Sequence, residues 1–276
     1  MSSKRILKLL TTIIFSANLI ALTNSVMAMN WEEADRLQDK ISHGDKAAFN
    51  LLRKAANAGD LIAEKEMASL YSLGIGVKPS RDQYHFWTKK TAEQGDAEGE
   101  VAFSAICGDK NGKWDCSQDW LEKAADRGNL QGEINLANLY ERKEDYINAA
   151  KWYLQCIKQV DNNPHLSDAM SSLGSFYLYG NGVPQDYEKA LFLFKKSIDL
   201  GNTSVTIFLG PMYRDGIGVP QNNIVAFALF NIGLDSMDRD KLSYRMNQQD
   251  IELAQQLTKK MQSVGINKAI DAYFPH

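Results

Sequence analysis

The chain is poor in the residues that catalysis and metal binding draw on. Its 276 residues hold four histidines, His43, His85, His165 and His276, in separate segments and without a partner at metal-ligand spacing. There is no His-Glu-x-x-His, no Gly-x-Ser-x-Gly, no phosphate-binding loop and no Ser-x-x-Lys, so the usual signatures of zinc, serine-hydrolase and nucleotide chemistry are missing. No catalytic residue, cofactor or metal site is expected. The acidic pairs Glu32-Glu33 and Glu98/Glu100 read as solvated helix faces. Net charge is only −3 and no basic stripe marks a nucleic-acid surface. Beyond residue 28 no apolar run is long enough to span a membrane.

What the chain does have is a repeated pattern. Between Ser167 and Gly201, Ala169, Leu173, Gly174 and Tyr177 recur at helical spacing. Gly180 and Gly182 then stop that helix, since glycine accepts the left-handed backbone of a helix end, and Pro184 forbids its continuation. A second helix starts near Asp186, turns Ala190, Leu193 and Phe194 inward and ends at Gly201. The Gly-x-Gly-Val turn occurs at Gly74–Val77, Gly180–Val183 and Gly216–Val219. Closing glycines follow at Gly59, Gly95, Gly128 and Gly201. One such hairpin cannot bury its own apolar face, so the chain must stack copies of it.

These residues resemble the Sel-1-like repeat family, a relative of the tetratricopeptide repeats. Ala169, Leu173, Gly174, Tyr177, Gly180, Gly182, Val183, Asp186, Lys189, Ala190 and Gly201 fall on the family pattern. Ala63, Tyr71, Gly74, Gly76, Val77, Trp87, Lys90 and Gly95 share its frame, as do Leu209, Gly210, Tyr213, Gly216, Gly218 and Val219. The resemblance covers about residues 31–235. It implies an all-α, right-handed solenoid of helix-turn-helix repeats.

In chain order, residues 1–28 read as a secretory signal: Lys4, Arg5 and Lys8, an apolar stretch from Leu9 to Leu22, and small residues ending at Ala28. Its style suggests a Gram-negative bacterium and hence the periplasm, with secretion beyond it open. Cleavage after Ala28 removes three positive charges and takes the net charge from −3 to −6. Residues 29–235 divide into five to six hairpins, at about 31–59, 60–95, 96–128, 129–165, 167–201 and 202–235. In the third, CGDKNGKWDC replaces the glycine turn. The fourth has lost its glycines and reads as a tighter turn. Met237–Asn247 reads as a polar connection, Gln248–Met261 as a capping helix, and the tail to His276 as packed or frayed; together residues 236–276 form a cap.

Cys107 and Cys116 flank the irregular turn of the third hairpin, where antiparallel helices can bring them within disulfide range. In an oxidising compartment a bridge there would add roughly 2.5–3 kcal/mol in the chain-entropy model; two buried thiols are the alternative. Cys156 reads as a buried thiol. Tyr71, Tyr140, Tyr177 and Tyr213 read as core. By carry-over from tetratricopeptide relatives, a concave groove would include Lys65, Ser69, Phe103, Asn138, Arg142, Ser171, Ser175, Tyr179 and Arg214, with Phe103 and Tyr179 as anchors. The expected function is a monomeric, exported, non-enzymatic protein that holds a protein or peptide partner. It would serve as an adaptor or scaffold, or as an immunity protein against a secreted effector such as a phospholipase. A β-lactamase-like or cell-wall hydrolase of the cysteine-rich Sel-1-like type is the enzymatic alternative, and a secreted host-interacting factor a further one.

Overall fold

The computed structural model describes residues 28–107, 115–159 and 163–274. The expected signal segment up to 27, the middle of the 107–116 turn and His276 lie outside the described residues. Among these residues there are fifteen α-helices and no strand. They are α1 Trp31–Ser42, α2 Lys46–Asn57, α3 Leu61–Leu73, α4 Arg81–Glu93, α5 Ala97–Ser104, α6 Asp115–Asp126, α7 Leu130–Arg142, α8 Tyr146–Gln159, α9 Leu166–Tyr179, α10 Tyr187–Asp199, α11 Thr206–Asp215, α12 Asn223–Ile232, α13 Ser236–Ser243, α14 Gln248–Val264 and α15 Ile266–Tyr273. The chain forms two compact units that meet in sequence at Ala124 and Ala125. Helices α1–α5 belong to the first and α7–α15 to the second.

Side-chain caps start most of these helices. Asn30, Asp45, Asp60, Ser80 and Asp96 each accept an N–H from the first turn that follows, and in the second unit Asn129, Asp186, Asn222 and Asn247 do the same. Each such bond satisfies a donor that a helix start otherwise leaves unpaired.

The glycine turns do two separate jobs. Gly74, Gly180 and Gly216 cap α3, α9 and α11 with φ of 74°, 75° and 71°. Gly76, Gly182 and Gly218 are also left-handed, but each lies against the preceding hairpin. A Cβ on Gly76 would strike the Ile41 carbonyl at the end of α1, and one on Gly182 the backbone of Tyr146 and Ile147 at the start of α8. A Cβ on Gly218 would strike the Tyr187 side chain. The first glycine therefore ends a helix, and the second lets one repeat sit on the last. In the same turns the carbonyls of Tyr71, Tyr177 and Tyr213 accept the N–H of the next cap residue, Ser80, Asp186 or Asn222, at 3.0, 2.8 and 2.7 Å.

The apolar core follows the repeat. In the first unit Leu37, Ile41, Leu52, Met67, Leu70 and Trp87 are buried together. In the second, Tyr153, Cys156, Leu166, Leu173 and Phe176 form one cluster, and Phe194, Leu209, Phe227, Phe230, Leu257 and Ile270 another. Tyr213 is buried, whereas Tyr71, Tyr140 and Tyr177 are only half-buried at the edges of these clusters.

One expectation needs correction. The segment expected as a polar connection contains α13, whose Leu242 is buried. Of the two readings of the tail, packed or frayed, the packed one holds through Tyr273: α15 buries Ile266, Ala269 and Ile270. Asn267 Nδ2 donates to the Lys195 carbonyl and to Asp199 Oδ1, both at 2.8 Å, which ties α15 to α10.

Candidate protein-binding surface

In the first unit, α3, α4 and α5 enclose an open cleft of about 350 Å³. Its α3 wall carries Lys65, Ala68, Ser69, Ser72 and Leu73; α4 adds Tyr84, Thr88 and Thr91, and α5 adds Glu98, Gly99 and Ala102. Two expected groove residues, Lys65 and Ser69, thus share one cavity. Leu73 is 70% exposed at its rim. Gly99 lets α5 approach α4, since a Cβ there would collide with Thr91 Oγ1.

The charges at this cleft are already arranged. Lys65 Nζ lies 2.6 Å from Glu98 Oε2 and 3.2 Å from Asp96 Oδ2. Burial alone would lower the Lys65 ammonium, but the two carboxylates outweigh it and its pKa is raised. The Lys65 ammonium also stands over the Trp31 ring, 5.7 Å from its centre. Thr88 differs. Its side chain is buried, and Oγ1 has no hydrogen-bond partner among the described residues. A buried hydroxyl without a partner costs free energy, so a ligand atom reaching it would recover a bond the unit lacks.

Other carboxylates nearby are buried, against expectation for Glu100, which is 1% exposed. Its partner in the expected solvated pair, Glu98, is exposed. Burial raises Glu64, which Gln94 Nε2 at 2.7 Å and Lys90 partly offset. Burial also raises Glu66, and the Asp35 charge adds to it; Glu66 Oε1 has no partner among the described residues.

Phe103 is not available as an anchor. It is 5% exposed, with its ring edge-on to His85 and Trp120 at 5.1 and 5.5 Å. It occupies the structural position of Met67 and Leu173, four residues after the small residue Gly99 as those follow Ala63 and Ala169. That position faces the partner helix of the hairpin.

In the second unit the expected groove residues have diverse roles. Asn138 accepts the Tyr153 hydroxyl at 2.6 Å, together with Glu141. Ser175 donates back to the Ser172 carbonyl, Ser171 is half-buried and Arg142 exposed. Tyr179 is 62% exposed and free to act as an anchor. Arg214 is occupied: it grips Asp215 through two bonds of 2.7 and 2.8 Å and Asp238 of α13 at 2.7 Å. It lines an open cleft of about 290 Å³ with Asp215, Asp238, Lys241, Leu242 and Arg245, and within it acts as a clamp on α13.

A second cleft, about 550 Å³, escaped sequence reasoning. Ile147, Ala150, Lys151, Leu154 and Lys158 of α8 line it together with Gly182 and Val183 of the next turn. The signal was present as an apolar stripe at positions 147, 150 and 154 of a helix whose other apolar face, Ala149, Tyr153 and Cys156, is core. Cys156 is a buried free thiol pushed up to about 12 by burial and by Glu133. Cys107 and Cys116 are paired in the structure, with Cα atoms 6.2 Å apart. Among the described residues no group of three or more His, Cys, Asp or Glu is placed to hold a metal ion. No described helix is long and apolar enough to cross a membrane.

The Sel1 repeat model matches residues 40–60, 62–96, 117–129, 167–202 and 206–235, in phase with the observed hairpins. This chain is a Sel1-repeat protein. An uncharacterized Sel1-like repeat-containing protein of Schizosaccharomyces pombe is 26% identical over 216 residues, which is 71% of this chain and 32% of the yeast protein. The Sel1-repeat chain thus spans about a third of that relative's length. A Sel1 repeat protein from Oxalobacter formigenes has the same fold with a TM-score of 0.62, at 22% identity over 75% of this chain and 85% of its own. A protective antigen of uropathogenic Escherichia coli strains displaying an SLR fold gives 0.50, at 20% identity over 88% and 63%. These likenesses concern the fold.

Proposed function

We propose that this Sel1-repeat protein is exported to the periplasm of a Gram-negative bacterium and works there as a non-enzymatic binder of one protein or peptide partner. The observation that carries this reading is the cleft of the first unit. It is mostly apolar, open, walled by the first helices of two successive repeats, and contains a buried Thr88 hydroxyl without a partner. An extended peptide that inserts an apolar side chain and offers a carbonyl to Thr88 suits it. In the second unit Tyr179 supplies a separate exposed aromatic contact. The export reading rests on the sequence of residues 1–28. An oxidising compartment also suits the pairing of Cys107 with Cys116, which we take as a disulfide.

The test is affinity capture from periplasmic extract with crosslinking and mass spectrometry, using the oxidised protein, Ser69→Trp to fill the cleft, and Tyr179→Ala. One dominant partner lost with Ser69→Trp supports the reading. A partner retained by both variants places binding elsewhere. A captured toxic effector would make the protein an immunity protein, and envelope machinery would make it an adaptor. Hydrolysis of a chromogenic β-lactam that persists through independent preparations would overturn the non-enzymatic reading.

A further inference from the structure

Met29 is the residue that cleavage after Ala28 would place at the start of the chain, and the structure seats it as a built element. Its side chain is 7% exposed and belongs to the core cluster of the first unit with Leu37 and Ile41. Its backbone nitrogen donates to Asp60 Oδ2 at 2.7 Å, across 31 residues of sequence. The other carboxylate oxygen, Oδ1, accepts the Ala63 N–H at 2.9 Å and so caps α3. One aspartate thus holds both Met29 and the beginning of a repeat. The next residue, Asn30, accepts the Glu33 N–H at 2.8 Å and caps α1, while Ala28 is exposed.

We infer that processing occurs at the Ala28–Met29 bond and that it completes the first unit, by giving Asp60 an α-ammonium partner in place of an amide. The step is a hydrolysis by an endopeptidase of the export apparatus that accepts small residues before the cut. Water adds across the peptide bond: its hydroxyl goes to the Ala28 carbonyl carbon, a proton to the Met29 nitrogen, and the amine takes a second proton from solvent. A neutral donor 2.7 Å from a carboxylate becomes a charged one. Charge-assisted bonds are shorter and stronger than those of a neutral amide, and this one is part-buried. The inference rests on the export reading, which puts the cut after Ala28, and adds the Asp60 pairing that the new amino terminus makes.

Other charged groups surround this site. Glu32 and Glu33 lie in the first turn of α1. Glu64 of α3 feels the Asp60 charge and is countered by Lys90 of α4. Lys65 stands over Trp31 and is held by Asp96 and Glu98 of the next repeat. Lys65 and Lys90 are thus already engaged by other carboxylates, whereas the carboxylate nearest Met29 N is Asp60 itself.

The experiment has two arms. In the first, the protein is recovered from the envelope fraction and its intact mass measured. A chain beginning at Met29 supports the inference. A cut elsewhere overturns it and leaves export standing; an uncut chain overturns both. In the second arm, thermal unfolding is compared for chains beginning at Met29 and chains retaining residues 24–28, each with Asp60 or Asp60→Asn, since asparagine keeps the cap on α3. Asp60→Asn is expected to lower the melting temperature by roughly 2–4 °C in the chain beginning at Met29 and by half of that or less in the extended one. Equal losses in both would overturn the ion pair.

A pH series on the two unsubstituted chains needs no variant. A free α-amino group, ordinarily near 7.7–8.0, would be raised in the folded chain by pairing with Asp60. Its stabilisation is therefore complete below that ordinary value and is lost as pH rises through the higher folded one. The advantage of the Met29 start should be present at pH 7 and disappear by about pH 10. An advantage unchanged across that range would overturn the inference.

Discussion

The third and fifth hairpins share one repeat frame yet close their turns by different physics. In the fifth, α9 runs fourteen residues to a left-handed Gly180, and Gly182 lies against the backbone of Tyr146 and Ile147. In the third, α5 is only eight residues long, ends at Ala105 without a glycine, and Cys107 is paired with Cys116 across the turn. A glycine turn holds one repeat to the one before it, because the missing side chain makes room for a neighbour's backbone. The Cys107–Cys116 pairing joins the two helices of its own hairpin. The difference is between a contact that builds the stack and a constraint that repairs one hairpin.

Gly182→Ala should be the more damaging way to break that comparison. Its Cβ meets backbone, which cannot rotate aside, and the residue is left-handed with φ of 69°. A loss of about 3 kcal/mol or more is expected from the collision and the strain together. Gly180→Ala, left-handed but with its nearest neighbour at 3.5 Å, should lose only about 1 kcal/mol. Denaturant unfolding of the two variants separates close approach from backbone conformation. Equal losses would mean that the second glycine is merely a turn residue.

Replacing both Cys107 and Cys116 by serine should cost roughly 2.5–3 kcal/mol, from the unfolded-state entropy of a short loop. Reductant should lower the unfolding midpoint of the unsubstituted protein by a comparable amount and leave the double variant untouched. If reductant does nothing, the turn is held by packing of Phe103 on Trp120 rather than by a bridge.

The positions of the hairpins were legible because glycine is a backbone requirement written as a residue type. The turns at Gly74, Gly180 and Gly216 lie where the repeat pattern puts them. Phe103 was misplaced because the third repeat lacks the Leu-Gly pair that sets the frame. Counting four residues from Gly99 would have put it on the buried position. The clamp of Arg214 on Asp238 could not be read from its own neighbourhood, since Asp238 comes 24 residues later on a helix with almost no apolar pattern. Of the candidate site, Lys65 and Ser69 were legible from the frame. Thr88 was not, because an unpaired hydroxyl is a property of packing and leaves no mark in sequence.

Within the first unit, Glu66 offers a smaller effect of opposite sign. Burial raises its carboxyl and Asp35 adds to that, so the ionised form is less stable folded than unfolded. Ionisation therefore removes stability as pH rises from the unfolded value toward and past the folded one. Glu66→Gln should raise the melting temperature by about 2–4 °C at pH 7. The gain should shrink as pH falls through and below about 4, where the carboxyl becomes protonated in both states. A gain that persists undiminished at acid pH would assign it to packing and not to charge.

The smallest effect sharpens the comparison from the side of the connections between hairpins. Gly59, Gly95, Gly128 and Gly201 each adopt positive φ just before an Asp or Asn. At the end of the sixth hairpin the same place before Asp235 is taken by Leu234, with φ of 57° and 86% exposure. The neighbouring Gly233, one position early, has φ of −76°. The repeat's geometry is thus retained while its preferred residue is displaced by one. Leu234→Gly removes a left-handed penalty of about 1–2 kcal/mol and returns roughly 0.5–1 kcal/mol as unfolded-chain entropy. It buries nothing and uncovers nothing, so a net gain of about 0.5–1 kcal/mol is expected. Leu234→Asn, which tolerates the same backbone without the entropy loss, should do at least as well. If both variants instead destabilise, the exposed leucine is held by a contact in the assembled protein, and the connection after the sixth hairpin becomes part of the binding surface.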